Sequence, residues 1–207
     1  MKTEIKNKIQ NNSLTYKQYI DLTHKEIENT DVDSLNDAEK TLFEYKKLNL
    51  QRSSRIEKYY SVNDELKSIF QNIKQIQNWV IITENWCGDS AQTLPYIAAF
   101  TKINPLINFK IILRDSNLDI MDQYLTNGTR SIPKLIAFDE NWNKLFEWGP
   151  RPKVAKDLME QMKKEGLSKT EKYEKLHLWY GRNRGKDIEQ EFKEILSMQI
   201  IHSEEFI

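Results

Sequence analysis

Cys87 is the chain's one cysteine, so no disulfide can form within it, and a single thiol suits a reducing compartment. Glycine is scarce at six residues and proline at five, which leaves little room for a glycine-rich phosphate loop. Charge of one sign is also lacking. Thirty-one Lys and Arg offset thirty-one Asp and Glu, so no global basic field exists to hold nucleic acid or an anionic membrane. The longest apolar runs, Trp79–Ile82 and Tyr96–Phe100, fall far short of the roughly 20 residues that span a bilayer. Residues 1–12 carry mixed charge and no apolar run of signal-peptide length, so export is not expected and a cytoplasmic setting is. The three histidines, His24, His177 and His202, share no ligand spacing with one another or with Cys87, so neither a metal nor a cofactor is expected. No pair of carboxylates has the spacing of glycosidase or protease chemistry.

What is present is a polar chain with mean hydropathy −0.71 that is still 11% aromatic, too aromatic for disorder. Thr15 with Gln18 spells a capping box, with Leu14 and Tyr19 at staple positions, and predicts a first helix. Leu35, Ala38, Leu42, Tyr45 and Leu48 predict the apolar face of a second helix after a turn over 31–37. Leu66, Ile69, Phe70 and Ile73 predict that of a third. Near residue 75 the texture changes to short β-branched runs alternating with helical stretches, the pattern of a βαβ unit. Strands are predicted over 79–83, 108–114, 134–138 and 144–148, the last two forming a hairpin around residues 139–143. Helices are predicted over 90–103, 118–125 and from Pro152 to about 164. Two more follow over 169–180 and 187–199, the second capped by Asp187 and Gln190. The expected architecture is α/β, β-α-β-α-β-β-α around a central mixed sheet. Residues 76–165 form its domain, with a helical extension over 1–75 packed on the core and another over 166–207.

The chemistry concentrates at Trp86-Cys87-Gly88-Asp89-Ser90, where the first strand gives way to a helix. A lone cysteine is most often a small buried apolar side chain. A helix N-terminus, however, presents unpaired N–H groups and the positive end of the macrodipole, which stabilise a thiolate. Cys87 is therefore expected to be acidic. Lowering a thiol pKa from about 8.5 by about 1.5 raises its thiolate fraction at pH 7 from about 3% to roughly half, for about 2 kcal/mol. Ser90 is placed to donate to the sulfur, while the charge of Asp89 opposes the shift. Pro95 inside the following helix and Pro133 at the start of a later strand both stand where proline is normally disfavoured.

Trp-Cys-Gly-x-x at a strand-to-helix junction, Pro95 eight residues on and Ser131-Ile132-Pro133 before the hairpin together resemble the thioredoxin superfamily. Met121 to Gly128 and Trp148 to Pro152 resemble, more closely, a bacterial thioredoxin-like branch. The resemblance covers about residues 76–165. It implies that Cys87 is the attacking cysteine, that Trp86 packs beside it as a wall of the substrate groove, and that Pro133 is cis. Ile132 would then set its backbone opposite the sulfur, to pair with an extended substrate segment alongside Gly88 and Asp89. Two departures stand out. Ser90 occupies the resolving-cysteine position, and Ile81 stands where thioredoxins bury an acid, so this chain cannot resolve its own mixed disulfide.

The resemblance thus leads first to a monothiol exchange protein, in which Cys87 attacks a protein or small-molecule disulfide and an external low-molecular-weight thiol releases the product. A thioredoxin-fold module that binds protein or peptide segments without turnover is the alternative, and redox sensing at Cys87 a third reading. Whether the chain is an enzyme turns on the acidity and access of Cys87. Elsewhere, Arg182, Arg184 and Lys186 form a basic loop, read as a solvated surface or as an anion site. Arg114-Asp115 lies at a strand end before a helix, in a position to face the site, although Asp115 is expected to cap the helix. Trp142, Trp148 and Trp179 read as packing residues.

Overall fold

The computed structural model describes residues 3–204, with side chains described to residue 199. Its framework is a four-stranded mixed sheet of β1 (Gln77–Thr83), β2 (Ile107–Leu113), β3 (Lys134–Asp139) and β4 (Lys144–Trp148). The strand order is β2-β1-β3-β4. β1 runs parallel to β2, with Trp79 opposite Phe109, and antiparallel to β3, with Ile81 opposite Leu135. β1 is central and buried on both faces, which is why it reads as a continuous apolar run instead of an alternation.

Side-chain alternation along β1 divides the core in two. Trp79 and Ile81 face one side, with α4 (Asp64–Gln71), α5 (Gly88–Thr101) and α9 (Lys186–Glu204) packed there through Phe70, Phe100 and Phe192. Val80 and Ile82 face the other, covered by Ile5 and Ile9 of α1 (Thr3–Asn12) and by Ile120 and Met121 of α6 (Leu118–Met121). Fully burying one such side chain contributes about 1.5–3 kcal/mol. A third cluster joins α7 (Lys153–Lys164) to α8 (Lys169–Asn183) through Met159, Met162 and Leu176.

The remaining helices are α2 (Tyr16–Asn29), opened by the Thr15/Gln18 capping box, and α3 (Asp37–Tyr59), opened by a second box of Asn36 and Glu39. Leu14 bridges Ile111 antiparallel with two 2.8 Å backbone hydrogen bonds, which blunts the edge of β2.

Several sequence expectations need correction. The helix at 118–125 closes after Met121, and its N-cap is Asn117, not Asp115. Asp115 instead pairs with Arg114 and donates its N–H to Glu84. Residues 3–12 form a helix that the mixed charge concealed. Asp187 lies in the first turn of α9, held by Asn183, rather than capping it, while Gln190 bonds Glu194. In α3 the predicted apolar stripe points outward, with Leu42, Tyr45 and Leu48 all exposed, and the buried face is Phe43, Asn49 and Ser53. That face meets α5 and the loop before it. Asn49 donates to the Asn85 carbonyl at 3.0 Å and Ser53 to that of Ala91 at 3.3 Å.

Candidate functional site

β1 ends in the sheet at Thr83, and four residues later Cys87 takes the N-cap position of α5 with extended backbone. Its N–H donates to the Glu84 carbonyl and its carbonyl accepts from Ala91, both at 3.1 Å. The approach loop is bolted from outside. Besides the bond from Asn49, the Asn85 amide donates to Glu26, which Lys46 also pairs at 2.8 Å. The Ile132–Pro133 bond is cis, as is Gly149–Pro150. The Cys87 thiol donates to the Ile132 carbonyl with Sγ···O 3.4 Å.

Cys87 is 8% exposed. Burial, and then the charge of Asp89, push its thiol up to about 11, against the downward pull of hydrogen bonds from Ser90 and from the N–H of Asp89. The expected acidic cysteine is therefore corrected: the helix-terminus donors are present, but desolvation of the charged form outweighs them. Ser90 is fully buried, and its hydroxyl accepts a 2.6 Å bond from Thr83.

Asp89 turns inward. Arg151 grips its carboxylate through both oxygens, Nε at 2.8 Å and the terminal nitrogen at 2.6 Å, and the Tyr180 hydroxyl donates at 2.9 Å. Burial raises the Asp89 pKa, with Arg151 the main opposing influence. This cluster ties α5 to the segment before α7 and to α8. Gly88 is the contact point with α8: a Cβ built there would lie 2.8 Å from the His177 ring. Trp86 is half-buried with the Arg114 guanidinium 4.9 Å above its ring. The structure thus gathers Trp86, Cys87, Gly88, Ser90, Ile132 and Pro133 at one corner, and places the Asp89 carboxylate behind it.

A family model for thioredoxin matches residues 35–163. The chain belongs to the thioredoxin family. No curated protein matches it. Among solved structures, a protein of unknown function from Pseudomonas aeruginosa aligns with TM-score 0.51 and 18% identity, covering 89% of this chain and 96% of that one. An HIV epitope-scaffold aligns with TM-score 0.49 at the same identity and coverage. The former shares the fold, which is what that level of identity supports.

Helices outside residues 76–165 reach the surroundings of the cysteine corner. Asn49, Ser53, Arg151, His177 and Tyr180 all enter the surroundings from elements the sequence reading treated as scaffold. Arg151 stood within the quoted Trp148–Pro152 stretch, but nothing local marked it or Tyr180 as partners of Asp89. Among the described residues no group of three His, Cys, Asp or Glu could hold a metal ion, and the side chain of His202 lies outside them. No helix among them is long and apolar enough to cross a membrane.

Proposed function

We propose that this thioredoxin-family protein is a docking module for extended protein or peptide segments, received at the corner of Trp86, Cys87, Ile132 and Pro133. On this reading Cys87 is held neutral at rest. The observation that carries it is the burial of the thiol against the Ile132 carbonyl beside the charge of Asp89. With a pKa of about 11, only about one thiol in ten thousand is ionised at pH 7, too few for rapid nucleophilic attack. Ser90 supplies no resolving thiol, so the chain by itself cannot complete a turnover either. A docked segment gains affinity from main-chain hydrogen bonds and accepts varied side chains. On the same reading the protein works in a reducing compartment, the bacterial cytoplasm, a setting that a lone cysteine with no disulfide partner in the chain supports.

Thiol exchange is the second reading, favoured by the position of Cys87 at the N-cap of α5, where the Asp89 and Ser90 N–H groups pull its pKa down. Its step would be attack of the Cys87 thiolate on a disulfide sulfur. That forms a mixed disulfide and expels one thiolate, and an external thiol then releases the second product with no net change at Cys87.

Iodoacetamide alkylation of Cys87 from pH 4 to 12, folded against urea-unfolded, separates the two. Docking expects folded-state alkylation about 100-fold or more slower than the unfolded reference near pH 7.5, with a midpoint near 11. Rapid folded-state reaction with a midpoint below about 8.5 establishes exchange instead. A random 12-residue peptide library panned on the wild type and on Cys87→Ser tests docking itself. Peptides that bind both equally support it, and peptides lost with the sulfur overturn it.

A further inference from the structure

On the flank of α5 away from the sheet, α3 and α8 enclose a cleft of about 860 Å3. Arg52 and Arg55 enter it from α3, Arg184 from the end of α8, and no Asp or Glu lines it. Three other covered cations each meet a carboxylate: Lys134 meets Glu147, Arg151 meets Asp89 and Lys193 meets Glu65. Arg52 is half-buried, yet among the described residues its partner is only the Asn49 amide oxygen at 3.0 Å, and Arg55 and Arg184 have no ion pair there. Burial accordingly lowers the Arg52 pKa. Arg52, half-buried, and Arg55 and Arg184, exposed at the rim, line one cleft without a counter-charge and give it a positive potential, and guanidinium geometry suits carboxylate and phosphate.

The rest of the cleft is aromatic. Tyr60 and Tyr96 meet edge to face with centroids 4.6 Å apart, and Tyr59 stands 73% exposed at the rim. The nearby carboxylate of Glu189 is occupied by Tyr60 and Asn63. His177 sits against Gln92, with 3.3 Å between Nδ1 and the amide nitrogen. It faces Arg52, Arg151, Tyr173 and Tyr180 and carries no charge at neutral pH, its pKa pushed down to about 4 by burial and by the two arginines. An uncharged imidazole leaves the arginines as the source of attraction.

We infer that this cleft binds a small organic anion, a carboxylate or phosphate ester on a flat apolar body, with Arg52, Arg55 and Arg184 meeting the charge and the tyrosines meeting the body. The site is separate from peptide docking at Cys87 and stands or falls without it.

Isothermal titration of the full chain at low salt tests it with three probes: phenyl phosphate, phthalate and uncharged benzamide. At least one anion is expected to bind and benzamide is not. Binding should weaken at least tenfold in Arg52→Gln/Arg55→Gln and several-fold as salt is raised, and stay unchanged in Lys163→Gln, which lies outside the cleft. Arg55→Gln alone, at an exposed position, tests the same loss should the double variant fold poorly. Tighter phenyl phosphate names a phosphate ester as the ligand, and tighter phthalate a carboxylate. Equal binding of benzamide, no binding of either anion at 10 mM, or full affinity in the arginine variants overturns the inference.

Discussion

At Cys87 the contest is between local electrostatics and desolvation. Backbone N–H groups at a helix start and a serine hydroxyl favour the thiolate, and burial with a carboxylate two residues on favours the thiol. The carboxylate can be removed separately. In Asp89→Asn/Arg151→Gln, which also spares an unpaired buried guanidinium, the Cys87 midpoint should fall toward the ordinary thiol value. Alkylation at pH 8 should then speed up by about tenfold; an unchanged rate would mean that burial alone sets the thiol. The same shift makes a stability prediction. A thiol whose folded pKa lies above its unfolded value of about 8.5 stabilises the fold fully below pH 8.5 and loses that contribution as pH rises through about 11. Urea unfolding at pH 8 and pH 11 should therefore show wild type losing about 2–3 kcal/mol more than Cys87→Ala. The residues that meet at this corner were legible in the sequence because Trp86, Cys87 and Pro95 share one strand-to-helix segment and Pro133 stands where proline is disfavoured. Its acidity was not, because the groups that bury Cys87 and hold Asp89, Arg151 and Tyr180 among them, lie up to 91 residues away.

Between elements, the strands and most helices were legible because their hydrophobic period and caps are local. The face that α3 presents was not. Its leucines form the stronger apolar stripe, but the helix docks through Asn49 and Ser53, whose partners are backbone carbonyls of the α5 approach, and polar docking of this sort leaves no apolar period to read. α1 escaped for a related reason, since only Ile5 and Ile9 are buried in a run of Lys, Asn and Gln. Gly88 marks where α8 closes on α5. Gly88→Ala places a methyl within 3 Å of the His177 ring, which Gln92 and the ring of Tyr173 confine. Thermal melts should show Gly88→Ala costing about 1–3 kcal/mol, with most of the loss recovered in Gly88→Ala/His177→Ala relative to His177→Ala. Equal loss in both backgrounds would show that α8 does not press on this turn.

Across the whole molecule, the extensions and the thioredoxin-like segment share one core. Ile188, Phe192 and Leu196 of α9 are each 0–1% exposed within the cluster built on Trp79. The Phe192 ring lies 5.3–5.7 Å from those of Phe100, Trp148 and Trp79. Glu191 in the same helix accepts from the Trp148 indole at 2.6 Å and from the Lys153 N–H at 2.5 Å, so the end of β4 and the start of α7 are fastened by α9. Emptying the Phe192 site costs about 3–5 kcal/mol, a large part of the 5–15 kcal/mol typical of a whole domain. Phe192→Ala should lower Tm by roughly 10 °C in a chain of this size. Ending the chain at residue 165 removes all three apolar side chains together with the Tyr180 bond to Asp89. That fragment should show no cooperative thermal transition by circular dichroism, despite retaining every strand and the entire family-matched segment. A cooperative melt of residues 1–165 near the full-length Tm would show instead that α8 and α9 are appended to a self-sufficient unit.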